Sequence, residues 1–339
     1  MRTHPIKSSF ERGAVKGWQG FLWMVKIILP VSFATFLLDY SGWLDRMDGW
    51  LEPLMGTIHL PAIAALPLLA GMLTGIYGAI AAMSVLPFTV DQMTLMAVFL
   101  LIAHSLIQEG LVQRQSGCPA WMATAVRLGA AVLTVFVLGW AVGSETVQIV
   151  AARPSVSTRL MFWPAVQGWA AAMAWLSLKI LFIITALMIF MDLLKRYRLI
   201  DKVARVVEPV MGLLGLDRQV GVLWMTAAVF GITYGGAVIV AETRERRLPP
   251  DQLKTLHVSI GINHAMVEDP SLFLPLGIHP FWLWIPRLAA AVAFTQAYRL
   301  WLWMKKRRQP IADITVPLDG SWEPCMPDER LYVDDYKAT

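Results

Sequence analysis

"DQMTLMAVFLLIAHSLIQEG", residues 91–110, returns as "DQLKTLHVSIGINHAMVEDP", residues 251–270. Asp91, Gln92, His104 and Glu109 meet Asp251, Gln252, His264 and Asp269, each pair 160 positions apart. The correspondence reaches well beyond this stretch. "LDRMDGWLEPLMG" (44–56) lines up with "IDKVARVVEPVMG" (200–212), pairing Asp45 with Asp201, Glu52 with Glu208 and Gly56 with Gly212 at a displacement of 156. Lys26 and Asp39 match Lys179 and Asp192 at 153, and Arg127 matches Arg287 at 160. A series of matches at nearly constant displacement reads as an internal duplication.

The repeated unit is apolar. Of 339 residues, 57% are hydrophobic and 16% charged, against roughly 25% charged in a soluble domain. Apolar stretches run over residues 20–38, 60–86, 93–107, 121–142, 169–193, 220–241 and 281–303. Most reach the ~20 residues that cross a bilayer as a helix, so the fold class is an all-α polytopic membrane protein in a lipid bilayer. The stretch 93–107 and its counterpart 257–267 are short for a crossing. Arg2, Lys7, Arg12 and Lys16 precede the first stretch without a cleavage pattern, which reads as a retained first span. Cys118 and Cys325 form no CxxC pair and offer neither a disulfide framework nor a thiolate site. The net charge of +5 calls for no nucleic-acid partner. Lys305, Lys306, Arg307 and Arg308 after the last stretch read as a cytosolic anchor.

Charge sets the orientation of the halves. Residues 39–52 carry four acids against Arg46, a net −3, whereas the equivalent 192–208 carries five bases against three acids, a net +2. Equivalent loops then face opposite sides, which requires an odd number of crossings per half. With four apolar stretches per half, one enters and leaves on the same side, and the short third stretch is the natural choice. The expectation is two inverted repeats, each of three spans plus one re-entrant hairpin, in a bacterial inner (plasma) membrane with both termini cytosolic. The basic cluster at 244–247 falls outside in this scheme and counts against it. Eight plain spans in a parallel repeat are the alternative. The segments are then 1–18 (cytosolic), 19–145 (first repeat), 146–165 (linker), 166–305 (second repeat) and 306–339 (cytosolic tail).

Charge inside the apolar stretches marks the candidate site. His264 and Glu268 are four apart and would stack on one face of a helix. Asp269 before Pro270 is a helix-start signal, so one helix should end near Glu268 and another begin at Pro270. The first half repeats this with His104, Gln108, Glu109 and the helix breaker Gly110. Half-helices meeting at membrane depth form the sites of inverted-repeat transporters. The expected site is His104, Gln108, Glu109, Asn263, His264, Glu268 and Asp269, with His104, His264 and Glu268 as metal ligands. Arg127, Arg287 and Lys179 are the charge partners; the two arginines either neutralise the carboxylates or anchor at an interface. The same residues also have plain readings: Asp269 can cap a helix, and buried histidines can satisfy themselves on backbone carbonyls. The glycine-rich "GIYG" (75–78) and "GITYGG" (231–236) read as unwound or closely packed segments.

Imidazole with carboxylate suits divalent first-row cations; a neutral organic solute would use the Gln108 and Asn263 amides. Neither HExxH nor a P-loop is present, and no enzyme activity or cofactor is expected. "AHSLIQEGLVQRQSG" and "GINHAMVEDPSLFLPLGI", each followed by an Arg-containing apolar stretch, resemble the Gate, or nucleoside recognition, family. That family includes the membrane part of the Feo-type ferrous-iron permease and the spore maturation proteins A and B, and it is related to concentrative nucleoside transporters. The resemblance spans residues 20–305 as two fused units. It implies a transporter-like protein moving a small solute: a divalent metal first, a nucleoside second. A non-transporting scaffold is the alternative class, and a homo-oligomer is possible in each.

Overall fold

The computed structural model describes residues 5–142, 161–197, 209–245 and 248–308. Among these there are helices and no strands: α1 Pro5–Tyr40, α2 Trp43–Gly56, α3 Ala65–Thr74, α4 Ile76–Met83, α5 Val90–Ala103, α6 Leu106–Gln115, α7 Ala120–Val142, α8 Phe162–Arg196, α9 Arg218–Glu245, α10 Pro250–Ile262, α11 Glu268–Phe273 and α12 Pro280–Arg308. Residues 1–300 form one compact unit, which contains the site; residues 301–339 form a second. In the second, Lys305 and Arg307 lie over the rings of Trp301 and Trp303. Asp201, Glu208, Arg246, Arg247, Cys325, residues 146–160 of the expected linker and 309–339 of the tail lie outside the described residues. α8 begins at Phe162, inside that linker.

Phe10–Tyr40, Val90–Gln115, Ala120–Val142 and Phe162–Leu193 are long and apolar enough to cross a membrane. α7 shows how they pack. Ala123, Arg127, Ala130, Ala131 and Gly139 are buried, while Trp121, Leu133, Phe136, Val137 and Trp140 are exposed. Small residues face the protein and large apolar ones face outward, as lipid contact favours and water does not. The chain is a multi-pass membrane protein. α1 and α8 run antiparallel with their backbones in contact. A Cβ on Gly13 would lie 2.5 Å from Ile189 Cα, and one on Gly17 2.7 Å from Thr185 Cα. Farther along, Phe33 meets Trp169 at 4.9 Å between ring centroids. Asp192 closes the near end with Arg12 at 3.0 Å and Lys16 at 3.4 Å.

The fold-back in each half lies in the second apolar stretch, not the third. α3 and α4 double back at Gly75, whose φ of +95 and ψ of 179 suit only glycine. A Cβ on Gly71 would come within 2.9 Å of the Ala79 Cβ, although eight residues of straight helix span about 12 Å. α9 does the same at Gly231 (φ 83, ψ 168): a Cβ on Gly235 would lie 2.5 Å from Ala227 Cα. The second stretches are long enough for two short arms and carry a glycine where the chain turns; the third stretches have neither.

The third stretches are broken helices instead. α7 flanks both pieces of the first in a single direction. Gly110 of α6 faces Ala120 and Thr124, and Arg127 reaches the Ile102 and His104 carbonyls at the end of α5. α5 and α6 therefore follow one path, interrupted at His104–Ser105. α10 and α11 repeat this, interrupted over residues 263–267, and Arg287 reaches the Ile262 carbonyl. The two broken helices lie antiparallel: Gln113 Nε2 donates to the His257 carbonyl, the His257 ring bonds the Ser116 carbonyl, and Gly117 abuts Leu253. The break in the second half comes earlier than the sequence suggests. Val267 holds the cap position, Asp269 and Pro270 fall within the first turn of α11, and His264 and Glu268 lie on opposite sides of the break rather than on one helical face. Gly110 breaks nothing; it sits inside α6.

Candidate functional site

Each break leaves carbonyls without helical partners, and at membrane depth those groups must be satisfied by the protein. The two halves solve this alike. Arg127 Nε donates to the Ile102 carbonyl at 2.9 Å and Nη2 to the His104 carbonyl at 2.7 Å. Arg287 Nε donates to the Ile262 carbonyl at 2.8 Å. Guanidinium at the C-terminal end of a helix also opposes its dipole. The residue after each histidine has positive φ without being glycine: Ser105 at 47 and Ala265 at 44. That strain, about 1–2 kcal/mol per residue, is held by the folded-back arms. The Ser105 amide donates to the Gly71 carbonyl at 3.0 Å, and the Ala265 amide to the Ala227 carbonyl at 3.2 Å. The hairpins at Gly75 and Gly231 are thus the supports that fix the breaks.

These breaks turn the two imidazoles toward each other, with ring centroids 5.2 Å apart. His104 Nδ1 lies 2.8 Å from the Leu100 carbonyl and His264 Nδ1 2.8 Å from the Ile260 carbonyl. A carbonyl only accepts, so both Nδ1 atoms carry their proton and both Nε2 atoms face the carboxylates. The longer approach of Arg287 Nη2 to His264 Nδ1, 3.4 Å, does not compete with that bond. His104 Nε2 is 2.9 Å from Glu109 Oε1 and 3.5 Å from Asp269 Oδ2; His264 Nε2 is 3.2 Å from Glu109 Oε2 and 3.9 Å from Asp269 Oδ2. Arg127 Nη1 is 2.9 Å from Glu109 Oε2. All six side chains are buried, both arginines to 1% exposure.

His104, His264, Glu109 and Asp269 are brought together, with Arg127 and Arg287 behind them as partners. Gln108 is not: it is exposed on α6. Asn263 is buried and donates to Met266 Sδ at 3.5 Å. Glu268 stands outside the cluster and accepts from the Tyr77 hydroxyl at 3.3 Å, because the break swings it away from His264. Glu109 takes the place expected for Glu268: His104, Glu109 and His264 each present a ligand atom, all within 4.8 Å of one another. Among the described residues Lys179 meets no carboxylate; its Nζ donates to the Pro275 carbonyl at 3.5 Å and lies over the Trp175 ring. Tyr77, at the tip of the first hairpin, was missed by sequence reasoning, although it lies in the glycine-rich "GIYG".

The donor set fits a metal ion in kind. Two Nε2 lone pairs turned on carboxylates are repulsive unless a proton or a cation lies between them, and His264 Nε2, Glu109 Oε2 and Asp269 Oδ2 are buried without a well-formed hydrogen bond. The charge balance works the other way: Glu109 and Asp269 are already offset by Arg127 and Arg287, so an arriving cation finds no net negative charge from these four.

Comparison with known proteins finds a likeness over part of the chain. Residues 21–113, which include His104 and Glu109, match the family described as Gate: Nucleoside recognition. The chain is 29% identical to the uncharacterized membrane protein YvoD of Bacillus subtilis (strain 168) over 298 residues, covering 86% of this chain and 94% of that one. No solved structure matches. By these likenesses the chain is a membrane protein with a Gate, nucleoside-recognition match over residues 21–113.

Proposed function

We propose that the chain is a transporter of inverted-repeat design in a bacterial inner membrane, with both termini cytosolic. Each half has three crossings (α1, α5–α6 and α7 in the first) and one re-entrant hairpin, with its tip at Gly75 or Gly231. The antiparallel course of α5–α6 and α10–α11, and the recurrence of each break's hydrogen bonds 160 residues apart, support this reading. The solute site is the His104–Glu109–His264–Asp269 cluster, and its solute is a divalent first-row cation. The observation that carries this is the pair of Nε2 atoms, held by their Nδ1 bonds and directed with Glu109 at one point. The offset of both carboxylates by arginine favours weak, reversible holding, as transport requires.

A second reading, uptake of a nucleoside, draws on the Gate match and on that same absence of net charge. Purified protein in proteoliposomes separates the two. Saturable uptake of manganese(II), iron(II) or zinc(II), lost in His104→Ala/His264→Ala, is the expected result. No uptake of any of the three by folded, oriented protein, with uptake of labelled uridine or adenosine, would replace the metal with the nucleoside.

A further inference from the structure

A cavity of about 150 Å3 lies between the α1–α8 pair and the second half's break. It is lined by Lys16 of α1, by Met188, Met191 and Asp192 of α8, and by Val267 and Glu268 at the break. Its volume is far above the ~10–15 Å3 that one water needs, and its lining carries carboxylates, so it has room and partners for solvent. The methionine sulfurs are weak acceptors, and Asp192 is already held by Arg12 and Lys16. Glu268 is therefore the group that gives the cavity its chemistry. Its neighbour in sequence, Asp269, lies 3.5 Å from His104 Nε2. The cluster's own side chains do not line the cavity; residues 267–269 are the stretch of chain that joins the two.

We propose that this cavity is a cation-selective access route to the cluster from the side of the membrane that carries the N-terminus, with Glu268 as its inner binding group and the Lys16–Asp192 ion pair at its mouth. Tyr77 donates a 3.3 Å hydrogen bond to the Glu268 carboxylate. The route is one-sided. The position equivalent to Glu268 in the first half is Gln108, which is exposed and neutral. Two halves built on one plan thus present a carboxylate to only one side. The inference rests on the transport reading above and adds its entry side and the charge of what enters.

The test uses the full chain with Cys118→Ser and Cys325→Ser, reconstituted in one orientation, and a single thiol introduced as Val267→Cys. Impermeant methanethiosulfonate reagents, one cationic and one anionic, are applied from each side. Labelling from the N-terminal side alone is expected, with the cationic reagent about tenfold faster, as a charged cleft concentrates counter-ions. That preference should vanish in Glu268→Gln. Met191→Cys, nearer the mouth, repeats the measurement if the first variant does not fold. Labelling from the opposite side, or equal rates for both reagents, overturns the route. The labelling needs no metal, so a cation preference in vesicles that take up none would keep the route and remove the metal. Metal uptake with a thiol that no reagent reaches from the N-terminal side would do the reverse.

Discussion

The break after His104 and the break after His264 share a scaffold and differ in their acids. In both, Nδ1 bonds the carbonyl four residues back, an arginine holds the carbonyl two residues before the histidine, and the next amide is tied to a hairpin. In the first half the acid is Glu109, long enough to touch His104, His264 and Arg127 at 2.9, 3.2 and 2.9 Å. In the second it is Asp269, one methylene shorter, at 3.5 and 3.9 Å from the same imidazoles. Matching hydrogen bonds position both histidines; the unequal acids give the first half the tighter grip and leave the second half's acid looser, next in sequence to Glu268.

Removing the acids is the strongest way to break this comparison. Glu109→Ala leaves Arg127 buried with its nearest carboxylate gone, which should cost about 3–5 kcal/mol. Asp269→Ala removes the longer contacts to the imidazoles and the carboxylate that offsets Arg287, and should cost about 1–3 kcal/mol. Thermal unfolding in detergent compares them, and equal losses would show that the two acids share the load.

The hairpin tips give a smaller contrast. Alanine at either Gly75 or Gly231 enters a conformation that costs roughly 1–3 kcal/mol outside glycine. At Gly75 the new Cβ would also lie 2.8 Å from Ser105 Oγ, whereas at Gly231 it meets, among the described residues, only the Ala265 Cβ at 3.5 Å. Gly75→Ala should therefore lower the melting temperature more. The reverse order would mean that the second hairpin, not the first, limits stability.

His257 separates a structural histidine from the paired ones. Buried at 2% exposure, it ties α10 to α6 through the Ser116 carbonyl at 2.9 Å. His257→Ala should cost about 1–3 kcal/mol by leaving that carbonyl unsatisfied, while the KM for metal uptake stays unchanged. A raised KM would place His257 in the solute's path.

The proximity of His104 to His264 and the acids beside them were legible because charge in an apolar chain is costly and therefore conspicuous. The location of the fold-back was not. Segment length alone pointed to the third stretches, but Gly75 and Gly231 decide it, and a glycine in sequence does not announce its φ. Asp269–Pro270 looked like a helix start, but α11 begins two residues before Pro270, at Glu268; proline is tolerated anywhere in a first turn, where amides lack helical partners. That shift moved Glu268 out of the ligand set and left the place to Glu109. The close packing of α1 on α8 was written plainly as "GAVKG", residues 13–17, whose two glycines four apart are a helix-contact signal in membranes.

The smallest expected effect tests the asymmetry itself. Gln108→Glu gives the first half the carboxylate that Glu268 supplies in the second. Because Gln108 is exposed and stands outside the cluster, stability should change by about 0.5 kcal/mol or less. The cationic preference measured at Val267→Cys should stay the same, since the two acids would serve opposite sides. If labelling at 267 changes, the positions communicate through the cluster, and the halves are coupled rather than merely copied.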